Sequence, residues 1–318
     1  MKVLFWGTPE FAAPPLRALL GEGFEVVGVV TQPDRPQGRS RSTLVASAVK
    51  QIAIAESLPV LQPERPRGPE FLEQIRALEP DLSVVVAYGH ILPRDVIDLP
   101  RLGTLNIHAS LLPQWRGAAP IQAAIRAGQT ETGVTIMRMV LELDAGPILL
   151  QVPTPIVDDE TYGELQLRLS ELGALALIEA LSLIDIGQMV ERPQDDALAT
   201  VAQKIEREDA RIDWSRSAAD VARDVRAFDP KPGAFTTLGG VEAKLFGARV
   251  ASLDQTGAKD APGPGTVLAL DGTGAFISCG SGVVRITDAQ PSGKRRLTMN
   301  ELARGRGIRV GDRLGSTA

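Results

Sequence analysis

The sequence is poor in the residues that build metal clusters, disulfides and membrane spans. Its 318 residues include one cysteine and two histidines. A single cysteine excludes an internal disulfide and a cysteine metal cluster, and two histidines argue against a zinc site, so no bound metal is predicted. No apolar run approaches the ~18 residues of a membrane span, and the apolar start of MKVLFWGTPEF is too short for a signal peptide. We therefore expect a cytoplasmic protein with no membrane partner.

Charge is distributed unevenly along the chain, whose net charge is −5. Residues 1–208 carry 18 basic and 27 acidic side chains, a net charge of −9, whereas residues 209–318 carry 16 and 12, a net charge of +4. Residues 281–318 alone hold eight basic and three acidic side chains. An acidic body with a basic tail region is compatible with an anionic macromolecular partner, and equally with ordinary surface charge.

Apolar runs of strand length recur through the first half of the chain, with helical patterns between them. The strand-like runs are VLFWG, EVVGVVTQ, LSVVVAYG, GTLNIHAS and TGVTIMRMV. This alternation predicts an α/β domain with a Rossmann-like parallel sheet over residues 1–187. A long helix follows the last of these strands, and Thr161 with Glu164 forms a capping box at its start.

The residue composition of the sequence changes after this helix. The polar residues 188–207 are predicted to be a linker. Residues 208–318 then contain short β-like runs separated by glycine turns, together with one helical pattern, SAADVARDVRAF. This region predicts a small β-barrel, closed or partly open. Two domains agree with the length of the chain, which exceeds what one hydrophobic core usually serves.

A candidate site follows from polar residues at strand ends. Asn106 and His108 are two apart on one strand, so their side chains point to the same side of the sheet. Asp144 lies in a loop after the strand TGVTIMRMV, near its carboxyl end, where open α/β sheets bind ligands. If the two strands are neighbours, Asp144 can meet His108. The trio suits acyl transfer, with Asn106 and His108 donating to an oxyanion and Asp144 helping to remove an amine proton.

Each of these residues also has a simpler interpretation. A lone histidine on a strand is often a core residue with satisfied hydrogen bonds, and an aspartate before Ala-Gly is often a turn residue. His90 and Cys279 are interpreted as structural. The N-terminal FWGTPEF lacks the G-x-G-x-x-G pattern of a dinucleotide site. The residues alone therefore predict an α/β domain with a polar site, followed by a β-barrel, and name no substrate.

Many stretches along nearly the whole chain together resemble the formyltetrahydrofolate-dependent formyltransferases. They include FWGTPEFA, VVAYGHILP, NIHASLLPQWRGAAPIQ, LDAGP, VRAFDPKPGA and QPSGKRRL. The stretch QPDRPQGR and the second domain are similar to the members that act on methionyl-tRNA. The resemblance implies that a monomer transfers the formyl group of 10-formyltetrahydrofolate to the amine of methionyl initiator tRNA.

The resemblance also assigns roles to residues of the first domain. The family's catalytic trio corresponds to Asn106, His108 and Asp144. Its folate-binding stretch corresponds to four consecutive residues, Ser110, Leu111, Leu112 and Pro113.

Two basic regions are implied to bind tRNA. The family's tRNA-binding loop corresponds to TQPDRPQGRSRSTL, with Arg39 and Arg41. Its second domain is an oligonucleotide-binding (OB-like) barrel, which implies contacts between tRNA phosphates and Lys294, Arg295 and Arg296. A solvated turn is the simpler interpretation of these last three residues.

The chain departs from the family pattern at a few positions, none of them catalytic. The loop at 40–43 lacks the usual adjacent lysines, Gln114 replaces a common basic residue, and Val140 and Glu142 stand where an acidic residue and a glycine are usual.

Two alternatives stay open. One is a formyltransferase acting on a nucleotide-linked amino sugar, and the other is a tRNA-binding protein whose active site has lapsed. A purine-pathway formyltransferase fits less well, since such an enzyme needs a phosphate-binding site near the first strand and does not need a β-barrel domain.

Overall fold

The computed structural model describes residues 1–37, 43–257 and 262–315. The chain divides into two compact units. The first unit contains Met1–Pro120, Glu131–Pro155 and Gln166–Ala202, and the second contains the remaining segments, Ile121–Thr130, Ile156–Leu165 and Gln203–Ala318. Each unit therefore gathers segments that are separated in sequence.

Strands make up the frame of both units. The strands of the described residues are β1 (Lys2–Gly7), β2 (Glu25–Val30), β3 (Arg35–Gln37), β4 (Thr43–Val45), β5 (Val60–Leu61), β6 (Leu82–Val86), β7 (Thr104–His108), β8 (Arg116–Gly117), β9 (Glu131–Arg138), β10 (Ile148–Pro155), β11 (Val201–Ala202), β12 (Ala234–Leu238), β13 (Val241–Ala251), β14 (Val267–Asp271), β15 (Gly274–Ser278), β16 (Val283–Pro291) and β17 (Leu297–Thr298).

Helices connect or flank these strands. The α-helices are α1 (Ala13–Gly21), α2 (Ala48–Ala55), α3 (Pro69–Ala77), α4 (Arg94–Ile97), α5 (Pro120–Arg126), α6 (Tyr162–Asp185), α7 (Ala218–Ala227) and α8 (Met299–Arg304). Short 3-10 helices cover Glu10–Ala12, Asp196–Leu198, Arg207–Ala210 and Leu253–Thr256.

The first unit is built on a seven-stranded sheet in the order β10-β9-β7-β6-β1-β2-β5. The five strands from β7 to β5 pair in parallel, which confirms the predicted parallel sheet. Every residue of β6 is buried, as expected for a central strand covered on both faces. The remaining two strands, β9 and β10, pair antiparallel at one edge, so the sheet is mixed.

The long helix α6 begins and packs as its sequence dictates. The backbone N–H of Thr161 donates to the Glu164 carboxylate, and the N–H of Glu164 donates to the Thr161 hydroxyl, which confirms the capping box. Further along, a Cβ atom at Gly173 would lie 2.9 Å from Ile107 on β7. A larger side chain there would push the helix away from the sheet, so this glycine permits close packing.

The segment 188–202, predicted as part of a linker, belongs to the first unit. Strand β11 pairs in parallel with β8, joining Val201 to Arg116 and Ala202 to Gly117. The chain therefore passes the loop after β7 before it enters the second unit.

The second unit contains an antiparallel sheet in the order β12-β13-β16-β15-β14, with β17 beside β16. Helix α7 packs against it, and residues of both enter one hydrophobic core that includes Val225 and Leu245. Trp214 is buried in the same core, where its indole N–H donates to the Thr236 hydroxyl. This antiparallel sheet domain confirms the small β-domain predicted for the end of the chain. Cys279 is a buried residue of its core, and burial raises the pKa of its thiol to about 12.

Candidate active site

The site is centred on the carboxyl end of β7. This strand lies between β6 and β9, and Asn106 stands level with Val85 on one neighbour and Met137 on the other. Asn106 is half-buried, and among the described residues its side-chain amide has no hydrogen-bond partner. The amide is therefore available to a bound molecule, as a donor placed beside a histidine on the same face of the strand.

His108 is almost completely buried, with 5% of its surface exposed. Its Nε2 atom lies 2.9 Å from the carbonyl oxygen of Trp115. Because a carbonyl oxygen can only accept, Nε2 carries a proton in this arrangement. The opposite nitrogen, Nδ1, lies 3.6 Å from Oδ2 of Asp144, slightly beyond hydrogen-bond distance. Both ring nitrogens thus face acceptors, a carbonyl oxygen at Nε2 and a carboxylate oxygen at Nδ1.

Asp144 reaches His108 by a route that the sequence interpretation did not foresee. Strand β9 runs antiparallel to β7, so its last residue, Arg138, pairs with Leu105 near the start of β7, whereas His108 pairs with Thr135. The carboxyl end of β9 is therefore about 10 Å from His108 along the sheet. The loop after β9 folds back over this distance, and the two residues meet although the ends of their strands do not.

The loop fixes Asp144 by backbone geometry and one strong hydrogen bond. Asp144 has a φ of 49°, in the left-handed region that aspartate tolerates. Its Oδ2 atom accepts from the backbone N–H of Gly117 at 2.7 Å. At Gly146, a Cβ atom would lie 1.8 Å from the carbonyl oxygen of Arg138, so the return of the loop requires glycine. The carboxylate is thereby held against His108 with 12% of its side chain exposed.

Gln194 supports this loop and was missed by the sequence interpretation, which placed it in the linker. Its amide nitrogen donates to the carbonyl oxygens of Asp144 and Gly146, each at 2.8 Å. Its amide oxygen accepts from Nε and Nη2 of Arg116, at 3.1 and 2.8 Å. A glutamine in a polar, proline-containing stretch carries no signal of such a role, since the contact depends on where the chain passes in space.

The predicted folate-binding residues form a tightly bonded turn. The Ser110 hydroxyl donates to the carbonyl of Gln114 at 2.5 Å, and the Ser110 carbonyl accepts from the Thr135 hydroxyl at 2.6 Å. The N–H of Leu112 in turn donates to Thr135 at 3.1 Å. Ser110 and Leu112 are buried, whereas Leu111 and Pro113 are half-buried. The side chains of this stretch that a ligand can reach are therefore those of Leu111 and Pro113.

The loop that follows is held by the segment before the second unit. The N–H of Trp115 donates to the Thr200 hydroxyl at 2.8 Å, and the N–H of Arg116 donates to the Thr200 carbonyl at 2.9 Å. Gly117, with a φ of 114°, lies so close to Ala202 that a Cβ atom would be 2.6 Å from its carbonyl oxygen. This pairing positions both the carbonyl that His108 contacts and the N–H that Asp144 accepts from.

His90, the other histidine, lies in the loop after β6 and is half-buried. Its ring meets the ring of Tyr88 edge-on, with 5.5 Å between the centroids. Within the described chain, neither Nδ1 of His90 nor the hydroxyl of Tyr88 has a hydrogen-bond partner. Burial alone raises the pKa of Tyr88 to about 12.

The two predicted tRNA-binding regions differ in what the structure shows. Arg39 and Arg41 lie outside the described residues, between the paired strands β3 and β4. Lys294 is exposed, and its ammonium group has no partner among the residues described.

The two arginines after Lys294 are engaged within the protein. Arg295 pairs with Glu301 at 2.8 Å. Arg296 contacts Asp229 at 3.4 Å and Asp288 at 3.2 Å, and its guanidinium lies 4.2 Å from the centre of the Phe246 ring. Asp229 is buried, and burial raises the pKa of its carboxyl while Arg296 opposes that shift.

Among the described residues, no group of three or more histidine, cysteine, aspartate and glutamate side chains is placed to hold a metal ion. No helix in the described parts of the chain is both long enough and apolar enough to cross a membrane.

The arrangement is suited to the addition of a nucleophile to a carbonyl carbon. It offers a free amide donor at Asn106, a buried imidazole at His108 and a carboxylate at Asp144. Donors placed beside a developing oxyanion lower the barrier of such reactions, and a carboxylate can remove a proton from the nucleophile.

Comparison with known proteins matches two successive parts of the chain. The formyl transferase family matches residues 1–181, and the formyl transferase C-terminal domain matches residues 204–307. The chain is 49% identical over 316 residues to methionyl-tRNA formyltransferase of Methylococcus capsulatus, covering 99% of this chain and 100% of that protein. It is 47% identical over 305 residues to the protein of the same name from Marinobacter nauticus, covering 96% of each chain.

A solved structure has the same fold. HypX from Aquifex aeolicus in complex with tetrahydrofolic acid superposes with a TM-score of 0.67 at 22% sequence identity. The match covers 95% of this chain and 46% of HypX.

Proposed function

The chain belongs to the formyl transferase family, and we propose that it transfers the formyl group of 10-formyltetrahydrofolate to the amino group of methionyl initiator tRNA for translation initiation. The observation that carries the proposal is 47–49% identity, over nearly the whole chain, to relatives named methionyl-tRNA formyltransferase. The site supports the same chemistry, because its trio of groups fits the attack of an amine on a formyl carbon.

In the proposed reaction, the methionyl amine attacks the formyl carbon and a tetrahedral oxyanion forms. The amide of Asn106 donates to this oxyanion. Nε2–H of His108, which donates to the Trp115 carbonyl in the unliganded protein, is the second donor, since Nδ1 faces Asp144. Removing one such donor typically costs roughly 3–4 kcal/mol of barrier. The amine proton passes towards Asp144, the bond between the carbon and N10 of the folate breaks, and N10 takes up a proton.

The binding roles are also proposals. The folate is assigned to Ser110, Leu111, Leu112 and Pro113, whose turn directly follows His108. The partly exposed side chains of Leu111 and Pro113 support an apolar contact with the ligand.

The tRNA is assigned to two regions. One is the loop of Arg39 and Arg41, and the other is the C-terminal domain, through Lys294, Arg295 and Arg296. The net charge of +4 on residues 209–318 supports the second assignment. We further propose that the enzyme acts in the cytoplasm, where such a substrate is used, and as a monomer.

The decisive experiment measures formyl transfer from 10-formyltetrahydrofolate to methionyl initiator tRNA, with a nucleotide-linked amino sugar as a parallel acceptor. Formylation of the tRNA alone would support the proposal. Transfer only to the sugar would retain the chemistry of the trio and overturn the acceptor. Binding of tRNA without transfer to either acceptor would identify a lapsed enzyme.

A further inference from the structure

A pocket of about 360 Å³ lies in the second unit, and arginine side chains line it. Helix α7 contributes Arg223 and Arg226, β13 contributes Arg249, and β16 contributes Arg285. Asp159 is the one acidic residue of the lining. Four positive charges thus converge on one concave surface, and the sequence interpretation singled out none of them.

Two of these arginines have partners within the protein. Arg223 donates to the carboxylate of Asp220, and Arg249 pairs with Asp159 at 3.2 Å. Each of these two guanidiniums therefore has a carboxylate partner, although Asp220 is shared with Arg216.

Arg226 and Arg285 are different, because neither guanidinium has a hydrogen bond or a close ion pair with any residue that the structure describes. Both side chains are half-buried, and their Nε atoms are completely buried. Burial lowers the pKa of Arg226, and the nearby charge of Arg223 acts in the same direction, while Asp159 and Asp158 oppose it.

Buried donors without acceptors are unfavourable, and the cost is larger for charged groups. A guanidinium offers several N–H groups in one plane, which matches the oxygens of a phosphate and allows two parallel hydrogen bonds. The volume of the pocket lies within the range of small-molecule sites. A phosphate placed here would accept from the terminal Nη groups of Arg226 and Arg285 together, since their Nε atoms are buried, and would neutralise the excess charge.

We propose that this pocket binds a phosphate group. The phosphate comes either from a free phosphorylated small molecule or from a nucleic-acid backbone, and the shared chemistry is a tetrahedral anion held by Arg226 and Arg285. The pocket is composed entirely of residues of the second unit and contains none of the residues assigned to formyl transfer. It also contains none of the residues assigned to tRNA, and a backbone phosphate bound here would rest on the proposed function, whereas a free phosphorylated ligand would not.

The test compares the full-length wild type with Arg226→Gln/Arg285→Gln and with the control Arg304→Gln, which removes an exposed arginine of α8. Thermal unfolding is followed with increasing inorganic phosphate at constant ionic strength. We expect phosphate to raise the Tm of the wild type and the control, and the double variant to bind it about tenfold more weakly or worse. An equal phosphate shift in all three proteins, or none in the wild type, would overturn the proposal.

A second readout separates a binding role from a structural one. Without phosphate, the double variant should be at least as stable as the wild type, because it removes two charges that lack partners. A loss of stability that phosphate does not influence would mean that the arginines only pack, and would contradict the proposal. If the double variant does not fold, Arg226→Lys serves instead. Lysine keeps the positive charge but lacks the planar guanidinium with its parallel N–H donors, so this variant should still weaken phosphate binding.

The two sources are separated by competition. A nucleoside monophosphate and a short single-stranded oligonucleotide are each titrated against bound phosphate. Displacement by the monophosphate alone identifies a free ligand, whereas displacement by the oligonucleotide identifies a backbone phosphate. Failure of both to compete would mean that the pocket holds inorganic phosphate only and would overturn both proposed sources.

Discussion

Nδ1 of His108 lies 3.6 Å from Oδ2 of Asp144, and the same oxygen accepts a hydrogen bond from the backbone N–H of Gly117 at 2.7 Å. The same short strand that supplies this N–H follows Trp115, whose carbonyl accepts from Nε2 of His108. Histidine and aspartate are therefore positioned by one loop, so a change in that loop moves both groups together.

The first prediction concerns His108. His108→Ala should lower turnover by about two to four powers of ten, on the scale of general acid–base catalysis, because the Nε2–H donor to the developing oxyanion is lost. Circular dichroism should show an intact fold. The chain's other histidine provides the matched control, since His90 is interpreted as structural, and His90→Ala should lower turnover far less. Similar losses in the two variants would assign the effect to packing.

The charge of Asp144 is the second target. Asp144→Asn keeps the shape of the side chain and removes its charge, so turnover should fall by about two powers of ten or more. Glu142→Gln removes an exposed carboxylate two residues away and should leave turnover nearly unchanged. Steady-state kinetics of the two variants show whether turnover depends on the Asp144 carboxylate itself. If Glu142→Gln were as damaging as Asp144→Asn, the general charge of the loop, and not the Asp144 carboxylate, would be responsible.

Gln194 should act as a positioning residue. Gln194→Ala removes two donors to the loop of Asp144 and an acceptor for Arg116, so we expect turnover to fall about tenfold and stability to fall by about 1–2 kcal/mol. KM for the folate should change less than kcat, because the variant displaces Asp144 and not the turn at Ser110. Gln188→Ala, at an exposed position, is the control. A loss of stability with unchanged kcat would mean that Gln194 is merely structural.

Substitutions in the basic turn at 294–296 should affect tRNA binding and protein stability differently. Arg296→Ala leaves the buried carboxylate of Asp229 without its partner and should lower the free energy of unfolding by about 1–3 kcal/mol. Lys294→Ala removes an exposed charge, so it should leave stability unchanged and weaken tRNA binding with a smaller salt dependence. Urea unfolding and tRNA titration at several salt concentrations measure both effects. Equal stability losses would contradict the different surroundings of the two residues.

Tyr88 predicts a pH dependence of stability. Because the pKa of Tyr88 is raised from 10.0 to about 12, the folded state holds this proton more tightly than the unfolded state. The resulting stability is fully present below pH 10 and is lost as pH rises towards about 12. In Tyr88→Phe this loss should be absent, so its free energy of unfolding should fall less over that window.

At neutral pH, Tyr88→Phe should be at least as stable as the wild type, since the hydroxyl has no partner in the described residues. Urea unfolding at neutral pH and between pH 10 and 12 provides the comparison. Parallel curves for the two proteins would show that Tyr88 titrates normally.

The fold was predictable where local patterns dictate it. The apolar strands predict the parallel part of the first sheet, and Thr161 with Glu164 predicts the start of α6. The direction of β9 was not predictable, because the alternation of apolar residues reads the same in both directions along a strand. The proximity of His108 and Asp144 was thus predicted correctly, although the prediction assumed that the carboxyl end of β9 lies beside that of β7.

The proposed catalytic trio was predicted from strand ends and from resemblance, whereas the residues that support it were not. Gln194 lies 50 residues from Asp144 in sequence, and its contacts depend on the path that the chain takes after α6. In the same way, Arg226 and Arg285 are 59 positions apart, and only the packing of α7 against the sheet brings them to one pocket. A single sequence does not encode such distant contacts in any local pattern.

The pairing of β8 with β11 has a consequence for how the protein loses activity. The bond between Trp115 and Thr200 joins positions 85 residues apart, yet the paired strands are only two residues long and the segment around them is largely exposed. Such a segment can open at a lower free energy than the buried sheet. Transient detachment of residues 190–202 would free the Trp115 carbonyl and the Gly117 N–H, which position His108 and Asp144. Every strand of the parallel sheet would remain folded. We therefore expect inactivation by heat or denaturant to begin as a local event that precedes unfolding and reverses when the short segment closes again.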